Sequence, residues 1–174
     1  IAAGSIIEQN VVFGTGVKIK SNTTIKSFSH IEGANIGKDC QIGPFARIRP
    51  ETNLDNGVKV GNFVEIKNSS FASNAKASHL SYIGDTKLGD QTNIGAGTIF
   101  CNYNGRNKNK TIIGDKVFVG SNSSLIAPLK VGSEAVIAAG SIINNNVPSK
   151  SLAISRPAQQ NKLNIGKKIM MKNK

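Results

Sequence analysis

The chain has 174 residues, 39% of them hydrophobic and 18% charged, enough to bury one core, so a single domain with a tail is expected. No apolar run approaches the roughly 20 residues that a bilayer-spanning helix needs, which excludes that class. The net charge of +12 is uneven: Lys150 to Lys174 hold seven basic residues and no acidic one, leaving 15 basic against 10 acidic residues in 1–149. A basic tail suggests nucleic acid or an acidic membrane surface, yet aromatics are only 5% and no RNA-binding or helix-turn-helix signature accompanies it. Attraction of a phosphorylated small molecule explains the same bias, so no nucleic acid and no membrane span are expected.

The sequence starts at Ile1, with no charged segment leading into an apolar stretch and a cleavage site, and reads as a fragment or processed chain without a signal peptide. Cys40 and Cys101 are too few for a disulfide scaffold and lack CxxC spacing, so a reducing cytoplasm is the expected setting.

An apolar residue recurs every six positions: Ile1, Ile7, Phe13, Ile19, Ile25 and Ile31. The count slips by one and resumes at Ile36, Ile42, Ile48, Leu54, Val60 and Ile66, slips to Phe71, Ala77 and Ile83, and slips again to Leu88, Ile94 and Phe100. After a longer break it returns at Ile113, Val119, Leu125, Val131, Ile137 and Ile143. Six residues rotate a helix by about 240°, which scatters these anchors around its axis. In an extended chain the same step returns a side chain to one face and leaves room for a bend. Glycine follows the anchor at Gly14, Gly37, Gly43, Gly61, Gly84, Gly89, Gly95, Gly114, Gly120 and Gly132, and is expected to mark the turns. Small or β-branched residues four places after the anchor, such as Thr23, Ala46, Thr92 and Ser123, are expected to share the interior.

The pattern predicts an all-β fold, a parallel β-helix of triangular section with three hexads per coil and about eight coils. Periodicity leaves the handedness open, and the general preference for right-handed crossovers points away from the left-handed form. The prism is expected over 1–148, with a polar loop at 101–112 ejected from it and a basic segment at 149–174.

Particular strings narrow the family. They are Ile42-Gly43-Pro44-Phe45-Ala46-Arg47-Ile48-Arg49-Pro50, Val60-Gly61-Asn62-Phe63-Val64-Glu65-Ile66-Lys67 and Lys76-Ala77-Ser78-His79-Leu80-Ser81-Tyr82-Ile83-Gly84-Asp85. Asn93-Ile94-Gly95-Ala96-Gly97-Thr98, Cys101-Asn102-Tyr103-Asn104-Gly105, Lys110-Thr111-Ile112-Ile113-Gly114-Asp115 and Phe118-Val119-Gly120-Ser121 complete the series. The chain resembles the hexapeptide-repeat acyltransferases. Within them it resembles the C-terminal domain of bacterial bifunctional enzymes that acetylate glucosamine-1-phosphate and uridylate the product. The resemblance covers nearly the whole chain and supplies the left-handed twist.

It implies transfer of an acetyl group from acetyl-CoA to the amine of glucosamine-1-phosphate, for UDP-N-acetylglucosamine and cell-envelope synthesis. The uridylyltransferase half, with its magnesium site, has no equivalent in a sequence that begins inside the repeat, so an isolated acetyltransferase domain needing no metal is expected. His79 matches the catalytic base, an apt residue because imidazole titrates near neutrality and can take the proton of the attacking amine. Arg49, Lys67, Tyr82 and Asn93 match positions that hold the sugar phosphate, the first two by charge. Ala96, Asn102, Tyr103, Ser121, Ala139 and Arg156 match acetyl-CoA contacts, with a backbone amide at Ala96 as a candidate oxyanion donor. Lys108 matches a loop lysine that reaches the cofactor from a neighbouring subunit, since the family forms homotrimers with active sites between subunits. Glu65 is left between orienting the amine and tuning His79, and His30 is read as surface.

Three alternatives compete. Another acyltransferase on the same prism would take a different amine or hydroxyl acceptor. A zinc-dependent carbonic anhydrase of this fold needs three histidine ligands, whereas the chain has two histidines. A non-enzymatic solenoid expects a regular exposed array rather than one loop and one histidine.

Overall fold

A computed structural model describes residues 1–170. Short strands follow one another along the chain and pair in parallel one coil further on: Ile7 with Ile25, Ile25 with Ile42, Ile42 with Val60, Val60 with Ala77. The stagger alternates because a slip in the hexad count shortens one corner of a coil. Three sheets of nine, eight and seven strands result, here termed the first, second and third faces of a left-handed triangular prism of about eight coils. The right-handed crossover preference comes from twisted strands feeding a helix packed back on the sheet. Here strands of two to four residues meet at tight corners with no helix between them, so that cause is missing.

Every anchor from Ile19 to Ile143 is buried, while Ile1 and Ile7 in the first coil are exposed. Burial of one such isoleucine contributes about 1.5–3 kcal/mol. The residues four places after the anchors do share the interior, and hydroxyls among them satisfy corner carbonyls, as Thr23 Oγ1 does on Gly37 O at 2.8 Å and Thr92 Oγ1 on Gly114 O at 2.7 Å, although Thr52 Oγ1 makes no such bond.

The glycine expectation needs correction. The turn is carried by the third residue after the anchor, which has φ near +55° at Asn10, Asn22, Asp39, Phe63, Asn74 and Asn122. Of the ten glycines directly after anchors only Gly43 has positive φ. The others are required by close approach of the next coil: a Cβ on Gly95 would stand 2.6 Å from Ser121 N, and one on Gly114 2.6 Å from Ser133 N.

The ladder also runs past the expected boundary at 148, because Leu152–Ala153 pairs with Val136–Ile137. Beyond it the chain is exposed, with one short helix, Ile165–Met170, carrying Lys167 and Lys168. Lys172 and Lys174 of the basic segment lie outside the described residues. Among the described residues no helix is long and apolar enough to cross a membrane.

Candidate active site

The corner between the first and second faces stacks one position of the repeat, the second residue after each first-face anchor. Asn62, His79, Ala96, Ser121 and Ala139 occupy it in successive coils, set by the register of Asn62 with His79, Ala77 with Ile94, Ile94 with Val119 and Val119 with Ile137. Each step is about 4.8 Å. Main-chain bonds tie the column: Gly97 N donates to His79 O at 3.3 Å, Asn122 N to Ala96 O at 2.8 Å and Gly140 N to Ser121 O at 2.8 Å. At the top no further coil supplies an amide, and the Arg156 guanidinium donates to Ala139 O instead, at 2.8 Å. The N–H groups of Ala96, Ser121 and Ala139 donate to nothing among the described residues.

His79 is exposed, and its Nδ1 lies 2.8 Å from Asn62 Oδ1. The Asn62 carbonyl oxygen only accepts, so in this pairing Nδ1 is the donor, and the tautomer it selects has its lone pair at Nε2. Asn62 was not legible as a site residue, although its place one coil below His79 in the same hexad position was the available signal. Glu65 does not touch His79. Its Oε1 accepts from Arg49 Nη1 at 2.7 Å on the second face, a half-exposed pair of modest energetic weight. His30 lies half-buried on that face beside Arg47.

Arg49 and Lys67 follow the second-face anchors Ile48 and Ile66 and so stand one coil apart. Gly84 takes the same place in the next coil, where a Cβ would meet the Tyr82 hydroxyl at 2.7 Å and the Asn102 amide at 2.6 Å. The missing side chain therefore makes the room that Tyr82 and Asn102 share above Lys67. Asn102 is 6% exposed, donates to the Asp85 carboxylate and lies 3.5 Å from the Tyr82 hydroxyl. The ejected loop is a folded hairpin in which Tyr103 bridges Lys108 in antiparallel fashion and the Tyr103 hydroxyl donates to Gly105 O at 2.7 Å. Lys108 comes back over its own chain. The Lys67 ammonium beside it holds Lys108 below the usual lysine range, desolvation adds to this, and Asp85 and Tyr82 oppose it.

Within one chain the candidates thus form three groups. His79, Ala96, Ser121, Ala139 and Arg156 share the edge; Arg49, Lys67, Tyr82, Asn102, Tyr103 and Lys108 gather on the second face and its hairpin. Asn93 stands apart on the first face, in register with Lys76 and Phe118. A hollow of 320 Å³ beside His79 is lined by Lys26, Lys59, Asn62 and Ser78. The larger hollow of 710 Å³ lies on the third face among Lys18, Asn35, Asn53, Asp55 and Lys87, away from His79 and the residues that share its edge. Burial pushes the Cys40 thiol up, away from the reactive thiolate. Among the described residues no three of histidine, cysteine, aspartate and glutamate converge as metal ligands would.

Comparison with known proteins agrees with this architecture. A model of the bacterial transferase hexapeptide (six repeats) matches residues 33–68 and 110–145. The bifunctional protein GlmU of Zymomonas mobilis is 54% identical over 169 residues, 97% of this chain and 38% of that protein. The bifunctional protein GlmU of Wolbachia pipientis is 55% identical over 93% of this chain and 38% of its own length. The chain therefore spans little more than a third of these relatives. Among solved structures, an Arabidopsis UDP-N-acetylglucosamine acyltransferase shares the fold with a TM-score of 0.59 at 17% identity, over 86% of this chain and 69% of that one. The Campylobacter jejuni UDP-N-acetylglucosamine acyltransferase does so with a TM-score of 0.51 at 16% identity, over 95% and 78%. The chain is thus similar to the bacterial hexapeptide-repeat transferases and to a part of the bifunctional protein GlmU.

Proposed function

We propose that this chain transfers the acetyl group of acetyl-CoA to the amine of glucosamine-1-phosphate in the cytoplasm, working as a homotrimer with its sites between subunits. The observation that carries this reading is His79, tied at Nδ1 to Asn62 and free at Nε2, in one column with Ala96, Ser121, Ala139 and Arg156. That column is an extended track on the scale of a pantetheine arm. Beside it the second face offers Arg49 and Lys67 for the sugar phosphate.

The neutral amine attacks the thioester carbonyl carbon while His79 Nε2 takes its proton. The carbonyl π pair moves to oxygen, where the Ala96 N–H is the candidate donor to the oxyanion. Collapse re-forms the carbonyl and breaks the carbon–sulfur bond, and the imidazolium returns the proton to the leaving thiolate. The products are N-acetylglucosamine-1-phosphate and CoA. Asn93 reaches the acceptor in this reading only when the first face of one copy meets the second face of another, which is the role of the trimer. An exposed ridge of Phe28, Phe45, Phe63 and Leu80 along the same edge supports that assembly, since it is apolar surface that a second copy of the chain would cover.

The test is thiol release from acetyl-CoA with glucosamine-1-phosphate, compared with glucosamine lacking the phosphate and with His79→Ala. Release is expected to need the phosphate and to fall at least about a hundredfold in the variant, the usual worth of a general base. An unchanged rate in His79→Ala overturns the base assignment, and no release by a correctly folded assembly overturns the reaction.

A further inference from the structure

The hairpin at 102–110 leaves the prism at the corner between the second and third faces, where Asn68, Asp85 and Asn102 stack in successive coils. Asp85 is 7% exposed, with φ +52°. Its carboxylate is divided between its neighbours: Oδ1 accepts from Asn68 Nδ2, and Oδ2 accepts from Asn102 Nδ2 at the entrance of the hairpin. Its main chain holds the exit, because Thr111 N donates to Asp85 O at 3.2 Å where the chain rejoins the third face. One residue therefore secures both stems.

Between the stems the hairpin is braced by itself. Asn109 N donates to Asn102 O at 2.7 Å, and the Asn104 side-chain oxygen accepts from the amides of Arg106 at 3.0 Å and Asn107 at 2.8 Å. An internally braced hairpin swings as one piece, so its direction rests on its attachment at Asp85. What it carries is Lys108, which bridges back to Tyr103 and whose ammonium interacts with that of Lys67 on the second face.

We infer that Asp85 is a positioning residue: it orients the hairpin so that the ammonium groups of Lys108 and Lys67 converge on a single phosphate group of a substrate. Two free lysines repel and turn to solvent. Held side by side, they form a preorganised site for a dianion whose charge offsets their repulsion. The inference rests on the acetyl-transfer reading for the identity of the substrate, which supplies phosphate either from the aminosugar or from CoA. Asp85 itself touches neither.

The left-handed backbone at Asp85 tolerates both glycine and asparagine, so two substitutions separate the carboxylate from the fold. Asp85→Gly deletes the strut to Asn102. Asp85→Asn keeps an oxygen that accepts from Asn102, and its new NH₂ group faces Asn68, whose amide turns to accept it. In Asp85→Gly the KM for one phosphate-bearing substrate is expected to rise about tenfold with kcat within about twofold, and Asp85→Asn to stay within about threefold of wild type in both. Whether the KM for glucosamine-1-phosphate or for acetyl-CoA moves identifies the source of the phosphate. Trypsin cleavage after Arg106 or Lys108, at a temperature where the prism is intact, is expected to accelerate in Asp85→Gly and not in Asp85→Asn. Should Asp85→Gly not fold, Asp85→Ser, whose hydroxyl is too short to reach Asn102, replaces it. Unchanged cleavage together with unchanged KM values overturns the inference, as does a fall in kcat alone. The cleavage comparison needs no catalysis, so it decides the role of Asp85 even if the wild-type chain releases no thiol.

Discussion

The edge between the first and second faces carries one backbone conformation and two different surfaces. The third residue after each first-face anchor sits there with φ between +52° and +72° in every coil from Phe28 to Gly140. In the lower coils it is Phe28, Phe45, Phe63 and Leu80, each about half exposed; in the upper coils it is Gly97, Asn122 and Gly140. Glycine and asparagine are what such a backbone favours, whereas a bulky side chain costs about 1–2 kcal/mol there. The rings of Phe28 and Phe45 stack at 5.0 Å and those of Phe45 and Phe63 at 5.3 Å. Two such stacks return about 0.5–1.5 kcal/mol each, which leaves a deficit across three strained phenylalanines on an isolated prism. Covering all three against a second copy contributes up to about 1.5–3 kcal/mol for each ring, which offsets that deficit. The backbone thus does not choose the residue at this corner. What lies outside does: another chain below, and an open track beside Ala96, Ser121 and Ala139 above.

The comparison breaks most severely in Phe45→Asp with Phe63→Asp. Charge on the ridge is expected to leave monomers in sedimentation and to lower acetyl transfer at least about a hundredfold, because groups on different faces of different copies no longer meet. A fully active trimer carrying both substitutions would refute the ridge as the seam. Extending the ridge upward with Gly97→Phe is a milder intrusion. It places a side chain against Asn122 and beside the track, and is expected to raise the KM for acetyl-CoA about tenfold while sparing that for glucosamine-1-phosphate. The smallest effect belongs to Asn62→Ala, which frees the His79 ring without filling or emptying the edge. There kcat is expected to fall about tenfold with little change in either KM, and a loss confined to KM would show that Asn62 binds substrate instead of orienting the base.

Much of this architecture was legible because a six-residue step in an extended chain returns a side chain to one side, so Ile25, Ile42 and Ile66 announced an interior without any knowledge of their neighbours. The candidate residues were legible only by resemblance. Asn62 escaped because its importance is a register fact: it meets His79 through the pairing of one coil with the next, 17 residues away. Glu65 was ambiguous for the same reason, and the pairing of Arg47 with Glu65 brought it to the Arg49 side of the prism. The glycines were misread as turns because close approach between coils and positive φ favour the same residue type for different causes.

The sequence by itself determined the prism, its number of coils and the place where the hairpin leaves it, because burial of a periodic apolar residue is a local demand repeated in every hexad. Only the tertiary structure decided which residues share an edge, which shift to another face, and that Asp85 holds both ends of the hairpin, because those relations depend on how 17- and 18-residue coils stack and not on any one coil.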